Sequence, residues 1–227
     1  MAAEMAVPLV WEWRQYFPDR PGLDPQRLQI TRVGRYSITR PEHAALVSQA
    51  IKSFTALVTH RTEGLSIVDA TACVGGNTIS FLEHFQLVTA IELSSVHFYI
   101  LRQNLSAYGF DDGCGRLRLV NADFTQVLFT LCSDVVFLDP PWNNSGPLPE
   151  IWHDRKRDLM LYLSDTPIYS IISEILLTGR ARIVALKAPS NVNLNLLLRR
   201  LPFGIMTQIV KIHTYYLIMF GQPAQAT

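Results

Sequence analysis

Asp139-Pro140-Pro141-Trp142 sets a carboxylate, two rigid carbonyl acceptors and a flat aromatic face side by side. The prolines contribute no N–H donors and stiffen the turn. A row of acceptors suits an amino group on a nucleobase, whose lone pair is drawn into the ring and attacks poorly. Taking its N–H bonds would hold the nitrogen in line with an electrophilic carbon and stabilise the positive charge that develops. Trp142 adds a surface on which a base can stack, worth about 1–3 kcal/mol. A cationic base would gain further from the ring quadrupole.

A second stretch, Asp69-Ala70-Thr71-Ala72-Cys73-Val74-Gly75-Gly76-Asn77-Thr78, has the composition of a ligand loop. Gly75 and Gly76 let the backbone turn sharply and let a ligand approach main-chain N–H groups. Neither GxGxxG nor the lysine of a phosphate loop is present. An acidic residue ahead of the turn repels a diphosphate and favours a cationic amino-acid moiety. S-adenosylmethionine carries an ammonium and a sulfonium, and is the expected cofactor. Asp69, Thr71, Gly75, Gly76, Asn77 and Thr78 would contact it. Glu92 follows at the distance from which an acidic residue accepts from a ribose diol. Asp123 is placed to accept from the adenine amino group, with Phe124 available to pack on the ring, and Asp139 closes the series. Cys73, inside the loop, reads as a small packing residue, because no histidine pairs with it nearby in sequence.

Each of these acidic residues stands where an apolar run stops. Runs over residues 65–68, 87–91, 117–120 and Val135–Leu138 lead into Asp69, Glu92, Asp123 and Asp139. Further runs cover 183–186, 205–210 and 214–220, and helix-like stretches cover 41–58, 95–108 and Ile168–Leu177. Short apolar strands alternating with helices predict an α/β fold with a mainly parallel sheet covered on both faces. The last two runs are too close for a crossover helix and predict an antiparallel hairpin at one edge. The expectation is a seven-stranded Rossmann-like methyltransferase sheet, which binds its ligands beyond the carboxyl ends of the strands. Residues 1–40, rich in Pro, Arg and aromatics such as Trp11, Trp13 and Phe17, read as an arm that contributes to the site. Residues 41–227 form the methyltransferase domain.

At 227 residues, 48% of them apolar, the chain can bury one full core. The formal charge of +1 disfavours a protein that grips long nucleic acid without sequence preference, and favours a short target or a small molecule. Arg155, Lys156 and Arg157 read equally as a local basic patch or as a solvated loop. Cys73, Cys114 and Cys132 form no CxxC pair, and the six histidines show no metal spacing, so neither a disulfide framework nor a metal is expected. Absence of a signal peptide and of a membrane-length apolar run points to an intracellular, reducing compartment, nucleus or cytoplasm. A monomer is expected.

Taken together, these residues resemble the trimethylguanosine synthase family, enzymes that methylate the 2-amino group of 7-methylguanosine caps. The resemblance covers roughly residues 30–220. It rests on Gly34-Arg35-Tyr36-Ser37-Ile38-Thr39-Arg40-Pro41-Glu42, residues 69–79, residues 104–109, Ala122-Asp123-Phe124 and, most strongly, Asp134-Val135-Val136-Phe137-Leu138-Asp139-Pro140-Pro141-Trp142. By position it implies that Asp69, Glu92 and Asp123 bind S-adenosylmethionine and that Trp142 stacks on the methylated guanine. It implies that Ser37 and Thr39 approach the cap; Asn143, Lys187 and Asn191 are further expected contacts of a capped RNA or cap nucleotide. Asp139 replaces the serine usual in that family, which brings the motif closer to adenine or ribosomal guanine amino-methyltransferases. The family's basic residue after the fifth strand is not clearly matched, since Lys187-Ala188-Pro189-Ser190-Asn191 has its lysine shifted. Lys187 reads equally as a phosphate contact and as a surface lysine at a strand end. Three readings stay open: a cap amino-methyltransferase, minimal in form such as a virus or single-celled organism encodes; an amino-methyltransferase acting within RNA or DNA; and a silent binding module of the same fold.

Overall fold

Runs of consecutive aliphatic residues form strands covered on both faces, because no position along them needs to meet water. The computed structural model describes residues 6–8, 12–113, 115–142 and 159–223. Trp11, Cys114, Asn143 and the Arg155-Lys156-Arg157 run lie outside the described residues. The apolar runs become β1 (Ser66–Asp69), β2 (Leu87–Glu92), β3 (Leu117–Asn121), β4 (Val135–Leu138), β5 (Ile183–Pro189), β6 (Met206–Ile212) and β7 (Tyr215–Gly221). They make one seven-stranded sheet in the order β6-β7-β5-β4-β1-β2-β3. β1 to β5 run parallel, and β7 is antiparallel to both its neighbours. The expected sheet and its terminal hairpin are both present.

The period-2 alternation of a strand sends neighbouring side chains to opposite faces. In β4, Val135 and Phe137 join one core cluster, while Val136 and Leu138 join the other. The first face is covered by α2 (Pro41–Thr59), α3 (Gly76–His84) and α4 (Ser95–Ala107), and the second by α5 (Phe124–Val127), α6 (Ile168–Leu177) and α7 (Leu194–Arg199). A short helix, α1 (Arg32–Ser37), precedes α2. Pro41 opens α2 at a position where its missing N–H costs nothing. Asp134 fixes the amino ends of β1 and β4: it accepts from the Ser66 backbone N–H and hydroxyl, each at 2.8 Å, and pairs with Arg61.

The arm is docked rather than hinged over the site. Phe17, Leu28 and Ile30 are fully buried in the same core cluster as α2 and α4. Arg20 donates to the Tyr108 carbonyl at 2.6 Å, and the Tyr108 hydroxyl donates to the Pro18 carbonyl at 2.5 Å. Asn104 of α4, wholly buried, exchanges hydrogen bonds with the Gln29 backbone at 2.8 and 2.9 Å. Its amide also donates to the Val74 carbonyl at 2.9 Å, which ties the arm to the loop after β1. Among the described residues no helix is long and apolar enough to cross a membrane, and no group of His, Cys, Asp and Glu could hold a metal ion.

Candidate active site

The strand order reverses between β1 and β4, so the crevice beyond their carboxyl ends is where such a sheet receives a ligand. Asp139 follows β4 there. Its backbone N–H donates to Thr71 Oγ1 at 2.9 Å, which couples it to the loop after β1. Leu138 pairs with Leu186 of β5, and this register brings Lys187 alongside Asp139. The Lys187 ammonium donates to Asp139 Oδ2 at 2.7 Å and to Thr39 Oγ1 at 2.8 Å. Thr39 Oγ1 also accepts from Asn77 Nδ2 at 3.0 Å. The ammonium lies 5.2 Å from the centre of the Trp142 ring and 4.9 Å from that of Tyr215, within cation–π range of both. Burial pushes the Asp139 carboxyl above its ordinary pKa, while the ammonium and the Trp142 indole pull it back without cancelling the rise. Burial likewise raises the Tyr215 phenol, and the charges of Asp139 and Glu42 add to it.

Around the cofactor loop, Asp69 is 1% exposed and accepts from the Thr78 hydroxyl at 2.7 Å. Burial raises its pKa to about 7; the bonds from Thr78 and the Thr71 N–H oppose this, and the charges of Asp139 and Glu92 reinforce it. Gly75 has φ 105°, a backbone that other residues avoid. At Gly76 a Cβ would stand 2.5 Å from Ile38 Cγ1 and 2.9 Å from the Thr39 carbonyl. The close approach that this glycine permits is therefore used by the chain's own 38–39 segment. Cys73 is left-handed at φ 48°, and its N–H donates to Glu92 Oε2 at 2.8 Å. Glu92 Oε1 accepts from the Ser94 N–H at 2.8 Å. Asp123 caps α5 through the Thr125 N–H at 2.8 Å and accepts from the Ser164 hydroxyl at 2.5 Å. Burial raises its pKa, but these hydrogen bonds outweigh burial and hold it below the ordinary value.

The donor set fits S-adenosylmethionine. Three carboxylates, Asp69, Glu92 and Asp139, converge with one lysine among them, a balance that favours a cation. Asn77 Oδ1 is a buried acceptor with no hydrogen-bond partner, the kind of atom that an incoming ammonium would satisfy.

Comparison with known proteins fits this geometry. The model of the RNA cap guanine-N2 methyltransferase family matches residues 65–222, from β1 to the end of β7. The chain belongs to this family. Membership implies S-adenosylmethionine as methyl donor. An uncharacterised protein of Acanthamoeba polyphaga mimivirus is 29% identical over 134 residues, 58% of this chain and 48% of the viral protein. The chain thus spans about half the length of that curated relative. A methyltransferase from Geobacter sulfurreducens has the same fold with a TM-score of 0.55 and 14% identity, over 82% of this chain and 81% of its own. An rRNA methylase from Streptococcus thermophilus gives 0.51 and 16% identity, over 82% of this chain and 99% of its own.

Of the residues singled out in the sequence, Asp139, Lys187, Thr39, Asn77 and Trp142 meet in one constellation, with Asp69, Thr71 and Thr78 directly behind it. Lys187 corrects one expectation. It is neither a surface residue nor a strand end: β5 continues to Pro189, and the residue is 5% exposed. Thr39 is buried and faces the loop and the lysine. Ser37 is the half-buried last residue of α1, and the Asn191 carbonyl accepts from the Leu159 N–H at 2.8 Å. Phe124 is 2% exposed in the core of the second face. Tyr215 escaped sequence reasoning, and Asn104, although it opens one of the stretches behind the resemblance, was given no role. An aromatic at the start of an apolar run looks like ordinary core, and an asparagine inside a helix announces no partner.

Proposed function

We propose that this chain transfers a methyl group from S-adenosylmethionine to the exocyclic 2-amino group of 7-methylguanosine RNA caps. The observation that carries the reading is the junction of Asp139 with the Trp142 ring at the end of β4, in a chain of this family. When bound, the cofactor supplies an electrophilic methyl group. Asp69, Asn77 and Glu92 would hold it, through its ammonium and its ribose hydroxyls. Trp142 would stack the guanine, and its quadrupole rewards the positive charge that a 7-methyl group creates. The Asp139 carboxylate and the proline carbonyls would accept the amino N–H bonds and keep the nitrogen lone pair directed along one line. Lys187, itself bonded to Thr39, fixes that carboxylate.

A second reading has its own support. The carboxylate at position 139 also suits an amino group of adenine or guanine within a longer RNA or DNA. Labelled methyl transfer to 7-methylguanosine diphosphate, guanosine diphosphate and an adenine-containing RNA separates the two. The cap reading expects transfer to the 7-methylated compound alone, and expects Trp142→Ala to lose most acceptor affinity while donor affinity stays unchanged. Transfer to the RNA alone would move the function to the second reading. Absence of donor binding in a calorimetric titration would leave a silent binding module.

A further inference from the structure

Lysines are almost never buried unless paired, because an ammonium stripped of water must recover its hydration from the protein. Lys187 sits in the middle of an otherwise apolar strand and is 5% exposed. Its hydration is replaced by Asp139 at 2.7 Å, Thr39 at 2.8 Å and the rings of Trp142 and Tyr215. Two of its three N–H donors are taken by Asp139 and Thr39, and a side chain swung outward to a phosphate would give up both bonds. The same contacts bear on its partner. Asp139 is buried, and its charge is felt by Asp69 and by the Tyr215 phenol, both of which it pushes toward their protonated forms. Glu42 and His43 of α2, Arg40 just before it and His213 from the turn between β6 and β7 belong to the charged surroundings of the pair.

We propose that Lys187 is a positioning residue for methyl transfer: it keeps Asp139 a fixed, charged acceptor for the substrate amino group and makes no contact with substrate phosphate. This rests on the reading of Asp139 as the acceptor of the amino N–H bonds. A carboxylate offers lone pairs to an N–H donor, whereas a protonated acid turns an O–H toward it and loses acceptor capacity. With the ammonium removed, burial stands unopposed by its largest counterweight, so Asp139 takes up a proton at higher pH. The acid limb of the rate profile then moves toward alkaline pH.

The test measures kcat and kcat/KM for 7-methylguanosine diphosphate across pH 5.5 to 9.5, with donor affinity by calorimetry, in wild type and three variants. Lys187→Met shifts the acid limb upward by about a pH unit or more, so the rate on the acid side of the limb falls about tenfold or more and recovers as pH rises. Lys187→Arg restores most of the wild-type profile. Donor affinity changes by less than about twofold, since the lysine acts through Asp139 rather than on the donor. Should Lys187→Met fail to fold, Lys187→Gln keeps a hydrogen-bond donor, removes the charge and shows the same shift. A limb left in place, with KM raised equally at every pH, would make Lys187 a phosphate contact and overturn the proposal. A loss of kcat at all pH values without movement of the limb would overturn it as well. Were the true acceptor an adenine-containing RNA, the same profiles measured on that RNA would still decide the role of Lys187.

Discussion

Asp69 shows how burial sets chemistry at a single residue. Its carboxyl is raised to about 7 from an ordinary 3.8, so the folded chain holds this proton more tightly than the unfolded chain does. The sign follows: the site contributes stability at low pH, and that contribution is lost as pH rises from about 4 to about 7. A bound cation reverses the balance, because an ammonium beside Asp69 favours the ionised form. Affinity for S-adenosylmethionine is therefore expected to tighten about tenfold between pH 5.5 and 7.5, where the ammonium itself stays charged. In Asp69→Asn the affinity falls by well over tenfold and the pH slope disappears. Calorimetric titration at several pH values reads both, and an unchanged slope in the variant would show that another group controls binding.

Among the elements, the decisive joint is the one between the arm, α4 and the loop after β1. Asn104 satisfies the Gln29 N–H and carbonyl and the Val74 carbonyl from inside a helix, at a position with no access to water. Gly76 lets the 38–39 segment press against the start of α3, and Thr39 carries that contact on to Lys187. The end of the arm thus reaches Asn77 and Lys187 through Thr39. Asn104→Ala strands several buried polar groups and is expected to lower stability by about 2–4 kcal/mol in chemical denaturation, with faster hydrogen exchange at the Gln29 amide. A loss confined to a few tenths would mean that the arm is held by its apolar residues alone. The sequence made the strands readable, because runs of Val, Ile and Leu punctuated by acidic residues are a local signal. It did not disclose the docking of the arm. Phe17, Leu28 and Ile30 are scattered among prolines and arginines without a period, and they become core only when α4 arrives from far along the chain.

At the scale of the molecule, the parallel sheet brings the ends of β1, β4 and β5 to one crevice, and the antiparallel β7 closes it with Tyr215. Asp139-Pro140-Pro141-Trp142 was legible because prolines and a tryptophan are rare and informative wherever they stand. The ion pair was not, since Asp139 and Lys187 are 48 residues apart and Thr39 lies 148 residues from Lys187. Only the pairing of β4 with β5 reveals them as neighbours. One hint was available: a charged residue inside an apolar strand requires a partner. On the proposed function, a guanine amino nitrogen is held against Asp139 while its ring rests on Trp142. The most direct measurement is the position of the new methyl group. The product of carbon-13-labelled S-adenosylmethionine and 7-methylguanosine diphosphate is digested to the nucleoside and read by heteronuclear NMR. Transfer to the exocyclic amino group predicts the label on the 2-amino nitrogen alone. A label on a ring nitrogen or on a ribose oxygen would contradict it.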